Sequence, residues 1–186
     1  MDNIAHGCRG CSAAALCYTG AMVKLLVLAD THVRAIDELP REVIRAAGES
    51  DWLIHCGDYT GAAVIDELRG LTGRFSGVYG NSDPGPVRAR LPHQLTLEVD
   101  GRRLAVVHPD WGAHPDGLEE ELLARFAGYD AILFGHTHEP VVARHGETLL
   151  VNPGQAYHSF MVPATMVRLT VSDEGIEGEV VTLKPS

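Results

Sequence analysis

Val23-Lys24-Leu25-Leu26-Val27-Leu28-Ala29-Asp30-Thr31-His32 is the stretch on which the fold turns. Its first seven residues form a short apolar run rich in Val and Leu, the composition of a strand buried on both faces. The run then breaks into polar residues, with Asp30 and His32 two positions apart. In extended chain such residues point to the same side. Trp52-Leu53-Ile54-His55-Cys56 repeats the event and runs into Gly57-Asp58, and Phe75 to Tyr79 runs into Gly80-Asn81-Ser82-Asp83. Helical patterns over Ile36 to Ala47 and Ala62 to Arg69 separate these runs. Strand alternating with helix implies right-handed βαβ units.

Beyond Pro92 the rhythm changes to a hairpin, Gln94 to Val99 and Arg103 to Val107, turned by Asp100-Gly101. A helix is predicted from about Asp116 to Ala127, followed by strands Ala131 to Phe134, Val141 to Arg144, Leu149 to Val151, Thr165 to Val171 and Glu177 to Leu183. The second half therefore reads as mostly antiparallel. The expected fold class is α/β, with two packed mixed β-sheets flanked by helices in a layered α/β sandwich. Residues 22–186 make its single domain, a length that buries most of its apolar surface in one core. Residues 1–21 show no periodicity and read as a disordered extension or as sequence ahead of a start at Met22.

The chain is 45% hydrophobic and 22% charged, with no apolar run near the length that spans a bilayer. Its net charge of −10 and its 15 Lys and Arg argue against bulk nucleic-acid binding, which draws its affinity from basic side chains on phosphates. Arg88, Arg90, Arg102 and Arg103 are the one local concentration, expected on a solvated hairpin edge. Three of the four cysteines, Cys8, Cys11 and Cys17, crowd into the N-terminal stretch and Cys56 stands alone, so no disulfide framework is expected. One Cys-x-x-Cys pair with His6 is a poor zinc signal beside the two spaced pairs of structural sites. The N-terminus lacks a basic n-region and a good apolar h-region, so a cytoplasmic protein is expected.

Asp30 with His32, Asp58, Asn81, His108 and His136 with His138 all follow an apolar strand. Singly, each has a bland reading as a cap or turn residue, and His55 and Cys56, inside their run, read as packed core. Asp83 reads as closing its turn. Ligands gather beyond the carboxyl ends of strands in open α/β sheets, and five successive ends here offer carboxylate, imidazole or amide. That coincidence points to a metal site.

In this respect the sequence resembles the calcineurin-like metallophosphoesterases, whose blocks are Asp-x-His, Gly-Asp, Gly-Asn, a later His and Gly-His-x-His. All five occur in order between Met22 and Val151, and the Gly-Asn-x-Asp block and Asn152-Pro153-Gly154 resemble the small prokaryotic phosphodiesterase branch. The resemblance implies one metal on Asp30, His32, Asp58 and His138 and a second on Asp58, Asn81, His108 and His136. Asp58 would bridge them, and Asp58 and Asn81 would count as catalytic too. It implies two divalent cofactors, with Mn²⁺ expected and Fe, Zn²⁺, Ni²⁺ or Mg²⁺ compatible with the donors. It implies hydrolysis of a small phosphate ester, most readily a diester, by a hydroxide between the metals. The family also includes a protein-binding scaffold that has lost ligands, and nuclease chemistry is the other alternative. Two departures stand out: Pro109-Asp110 follows His108 where relatives have Gly-His, and Ser82 stands where larger members have a histidine that protonates the leaving group. The substrate-binding residues and the oligomeric state are not legible.

Overall fold

The computed structural model describes residues 22–110, 117–159 and 162–184. Two five-stranded sheets face each other. The first has the order β10-β9-β1-β2-β3, built from β1 (Val23–Leu28), β2 (Trp52–His55), β3 (Phe75–Gly77), β9 (Thr165–Ser172) and β10 (Gly175–Thr182). The second has the order β4-β5-β6-β8-β7, built from β4 (Gln94–Val99), β5 (Arg102–Val107), β6 (Ala131–Phe134), β7 (Pro140–His145) and β8 (Thr148–Pro153).

Alternation along each strand decides the layers. In β1, Leu25 and Val27 enter the core between the sheets with Ile54, Leu104, Val106, Leu133 and Val151. Leu26 and Leu28 face outward, under Val43, Val64, Ile65 and Leu68 of α1 (Arg41–Gly48) and α2 (Ala62–Leu71). On the far side, Val107, Ile132 and Phe134 pack beneath Leu118 and Leu122 of α4 (Leu118–Arg125). The result is the expected α/β/β/α sandwich. Burying apolar side chains on both faces of a strand contributes about 1.5–3 kcal/mol for each large residue.

Two expectations are corrected and a third is refined. The helix expected over Ile36 to Ala47 is a 3₁₀ turn at Ile36–Glu38 and a separate α1, with Leu39 extended at φ −78° and ψ 147°. Pro40 disfavours a helical residue before it and cannot donate to the preceding turn. The second half is mostly antiparallel, as expected, but not at the centre of its sheet, where β5, β6 and β8 pair parallel; α4 carries the chain over from β5 to β6. Only the edges, β4 on β5 and β7 on β8, are antiparallel there, while β9 and β10 return to the first sheet. The third strand stops at Gly77, short of Tyr79. A short α3 (Gly85–Arg88) lies in the stretch that carried no sequence signal. Residues 1–21, with the expected extension and the Cys8, Cys11 and Cys17 thiols, lie outside the described residues, as does the start of the helix expected at Asp116.

Among the described residues, no helix is long and apolar enough to cross a membrane.

Candidate metal centre

The loops that leave β1 and β2 are tied to one another before any side chain acts. Asp30 N–H donates to the Gly57 carbonyl at 2.9 Å and His32 N–H to that of Asp58 at 3.1 Å. Asp30 (φ 48°), His32 (48°), Asp58 (63°), His136 (83°) and His138 (61°) all adopt left-handed backbone. That conformation is uncommon outside glycine and costs on the order of 1–3 kcal/mol per residue. Five of the seven residues expected to bind metal share this strain, which turns their side chains inward from the strand ends.

All seven are brought together. His138 Nε2 lies 3.4 Å from Asp30 Oδ1, His32 Nε2 lies 3.8 Å from Asp58 Oδ2, and His108 Nε2 lies 3.7 Å from Asp58 Oδ1. Asn81 Oδ1 sits 2.9 Å from both His108 Nε2 and His136 Nδ1. Donor atoms of Asp30, His32 and His138 form one compact group, and those of Asp30, Asp58 and His108 another, with His136 joining through Asn81. The backbone N–H of His136 also donates to Asp30 Oδ2 at 2.9 Å.

Packing at this point is close enough to dictate residue type. A Cβ on Gly57, at φ +103°, would lie 2.6 Å from His108 Nδ1, and one on Gly135 would lie 2.8 Å from Asp30 Oδ2. Only glycine lets these backbones approach the ligand side chains.

The electrostatics favour a cation. Asp30 is fully buried and Asp58 is 2% exposed, yet among the described residues neither pairs with a lysine or arginine. A buried carboxylate costs several kcal/mol unless a positive charge compensates it. Asp30 Oδ1 and His32 Nε2 are buried without a hydrogen bond; the 3.4 Å approach of His138 to Asp30 is an ion-pair contact lacking hydrogen-bond alignment. The Asp30 carboxylate, opposed by burial, raises His138 to about 9. His136 goes the other way, lowered first by burial and then by His108. Orphaned lone pairs on hard oxygen and imidazole nitrogen, in a negative field, suit a divalent ion.

A second layer fixes the ligands, and most of it escaped sequence reading. His108 Nδ1–H donates to the Cys56 carbonyl at 2.8 Å, leaving Nε2 for the centre, and His138 Nδ1 meets Gln155 Oε1 at 2.9 Å. Asn152 Nδ2 donates to Thr137 Oγ1 at 2.9 Å, holding the loop between the last two histidines. Asp83 does more than close its turn: its carboxylate accepts the backbone N–H groups of Asp58, Tyr59, Thr60 and Gly80 at 2.8–2.9 Å. It thereby clamps the loop of Asp58 to the loop of Asn81. Arg88 braces the same loop, donating to the carbonyls of Asp83, Gly80 and Asn81, which moves it off the hairpin edge where it was expected. Arg90 pairs with Asp66 and Arg102 with Asp130, so they too are held by protein partners.

His55 is core, as expected, but polar core. It stacks on Tyr59 at 3.8 Å, accepts Gly57 N–H on Nδ1 at 3.2 Å and meets Thr31 Oγ1 at 3.1 Å through Nε2. Burial, helped by His108 and His32, lowers its pKa well below the usual value, so the ring is neutral and can accept and donate at once. Tyr157 stands edge-on to His32 and His138 at ring separations of 5.6 and 6.4 Å, a wall with no motif to announce it. Asp110, from the departure after His108, meets His93 Nε2 at 2.9 Å.

Residues 23–174 match the calcineurin-like phosphoesterase superfamily domain. A probable metallophosphoesterase of Methanocaldococcus jannaschii is 33% identical over 159 residues, covering 83% of this chain and 79% of that one. A phosphodiesterase of the same archaeon is 28% identical over 148 residues, covering 72% of this chain and 84% of its own. Among solved structures, a Thermotoga maritima protein shares 31% identity at a TM-score of 0.67, covering 87% of this chain and 99% of that one. Vacuolar protein sorting 29 of Cryptosporidium parvum shares the fold at a TM-score of 0.69 and 16% identity, covering 88% of this chain and 99% of that one. The matched span reaches from the first strand past the last candidate ligand, and the chain belongs to the calcineurin-like phosphoesterase superfamily.

Proposed function

We propose that the protein is a dinuclear metal-dependent phosphodiesterase of the cytoplasm, acting on a small phosphate ester. The observation that carries this reading is the pair of buried carboxylates, Asp30 and Asp58, facing four imidazoles and one amide with no lysine or arginine partner among the described residues. Asp30, His32, Asp58 and His138 would hold one divalent ion, and Asp58, Asn81, His108 and His136 the other, Mn²⁺ being the preferred metal. When bound, such a pair supplies an activated water and neutralises charge on the phosphoryl oxygens.

This chain's own residues set the rest. Asp58, placed between His32 and His108, fixes the spacing of the two ligand sets, and Asp83 fixes Asp58 relative to Asn81. Ser82 donates its backbone N–H to Asp58 Oδ1 at 2.8 Å, while its hydroxyl accepts from Asn81 Nδ2 at 3.3 Å. A serine hydroxyl there is no proton donor at neutral pH. A general acid contributes typically about 10²–10⁴ in rate, so without one only good leaving groups depart quickly. A diester brings one negative charge, matched to the +1 left when two divalent ions meet two carboxylates and one hydroxide.

An aryl phosphodiester should accordingly be hydrolysed faster than the corresponding aryl monoester under identical Mn²⁺. Ser82→His should raise turnover of alkyl esters more than that of aryl esters. A wild-type preference for alkyl monoesters overturns the assignment. The scaffold alternative is favoured by no residue of the site, since the likeness to vacuolar protein sorting 29 carries the fold alone. A purified protein that recruits no divalent ion would restore it.

A further inference from the structure

Two clefts among the described residues lie away from the metal centre. One of about 570 Å³ gathers Arg102, Asp130, Arg144 and Glu177, and one of about 400 Å³ gathers Lys24, Glu49, Arg168 and Glu179. Both hold mixed, mutually compensating surface charge. A smaller cleft of about 350 Å³ differs because it shares a wall with the centre: His136 lines it. Its apolar lining comes from Leu118 at the start of α4, Phe134 at the end of β6 and Val141 of β7. Among the described residues its charged lining is Glu119 and Glu139, with no lysine or arginine. Glu119 lies 3.3 Å from His145 Nε2 in a half-exposed contact at the rim.

The volume is within the range of pockets that take small organic groups. His136 Nδ1 is directed to Asn81, so the ring separates the metal-facing amide from the apolar space. A phosphoryl group at the centre would thus lie next to a cavity that rewards apolar surface and, through two carboxylates, penalises negative charge.

We propose that this cleft receives the organic substituent of the phosphate ester and selects uncharged, partly apolar substituents over those carrying a further anionic group. The inference rests on the phosphoesterase reading above. It makes nucleoside polyphosphates and carboxylated esters poor substrates, and esters of uncharged aryl groups good ones. Glu119 and Glu139 are the residues that determine this specificity.

The test is binding of phenylphosphonate and 4-carboxyphenylphosphonate, which have a carbon–phosphorus bond, to the full chain loaded with Zn²⁺, with inorganic phosphate as control. NMR methyl shifts report where the ring sits. Phenylphosphonate should move the methyl signals of Leu118 and Val141 and bind about tenfold more tightly than its carboxylated analogue, the scale of like charges several ångströms apart at a protein surface. In the Glu119→Gln, Glu139→Gln double variant that gap should fall to about threefold or less, with phosphate and zinc binding unchanged. Equal affinities in the wild type, an unchanged gap in the variant, or shifts that bypass Leu118 and Val141 while phosphate still binds, overturn the cleft assignment alone. Failure of phosphate and phosphonate alike to bind the metal-loaded chain overturns the phosphoesterase reading and this inference with it.

Discussion

Asp58 accepts the Ser82 N–H through one carboxylate oxygen at 2.8 Å and faces His32 and His108 across 3.8 and 3.7 Å. It does so from a left-handed backbone, at φ 63°, in a pocket that leaves it 2% exposed. An aspartate that only closed a turn would need neither burial nor strain. In Asp58→Asn one candidate ligand oxygen becomes an amide nitrogen and the negative charge is lost, while the volume is kept. Hydrolysis should be abolished and bound metal should fall below two ions per chain, measured by turnover and by elemental analysis. Activity within about tenfold of wild type would falsify the bridging role, because a bridging ligand serves both ions at once.

Between the ends of β2 and β3, the Asp83 carboxylate collects four backbone donors. Hydrogen bonds to a charged group contribute about 1.5–3 kcal/mol each, and an orphaned buried donor is expensive. Asp83→Ala therefore unpins two loops at once. It should destabilise the fold by about 4 kcal/mol or more, a fall in Tm of roughly 8 °C or more at this chain length. Metal affinity should weaken together with Tm, since Asp58 and Asn81 sit on the two loops that part. Thermal unfolding and metal titration check it: a lowered Tm with unaltered metal affinity would show that the clamp serves stability only. Arg88→Ala, which leaves the carboxylate in place, should give the same pattern in weaker form.

For the molecule as a whole, the centre is a deliberate cost. Two buried carboxylates and five left-handed candidate ligand residues oppose folding, and the three apolar clusters on and between the sheets offset them. A cation that binds the folded state and not the unfolded one stabilises by about 2.7 kcal/mol at a hundred times its Kd. Saturating Mn²⁺ should then raise Tm by roughly 5–10 °C, and a chelator should reverse the rise. A Tm indifferent to every divalent ion would contradict the reading of Asp30 and Asp58 as compensated by metal.

The local order of the chain was written in its residues. Apolar runs of strand length, each broken by Asp, His or Asn, fixed both the sandwich and the candidate ligands, because strand periodicity and the polarity of a strand end are properties of neighbours in sequence. What the residues left open was long-range. Nothing near Asp83 shows that its carboxylate reaches back to Asp58, and nothing near Gln155 shows that it meets His138, 17 positions earlier. The parallel core of the second sheet was equally hidden, since pairing direction depends on where α4 returns the chain and not on the composition of β5 or β6. His55 looked like packing because a buried histidine and a buried leucine occupy similar patterns; only the contacts with Gly57 and Thr31 make it part of the support. The sequence by itself determined which atoms could bind a cation, and the tertiary structure decided how they are aimed, for the distances between loops are set by sheets that pair residues far apart in the chain.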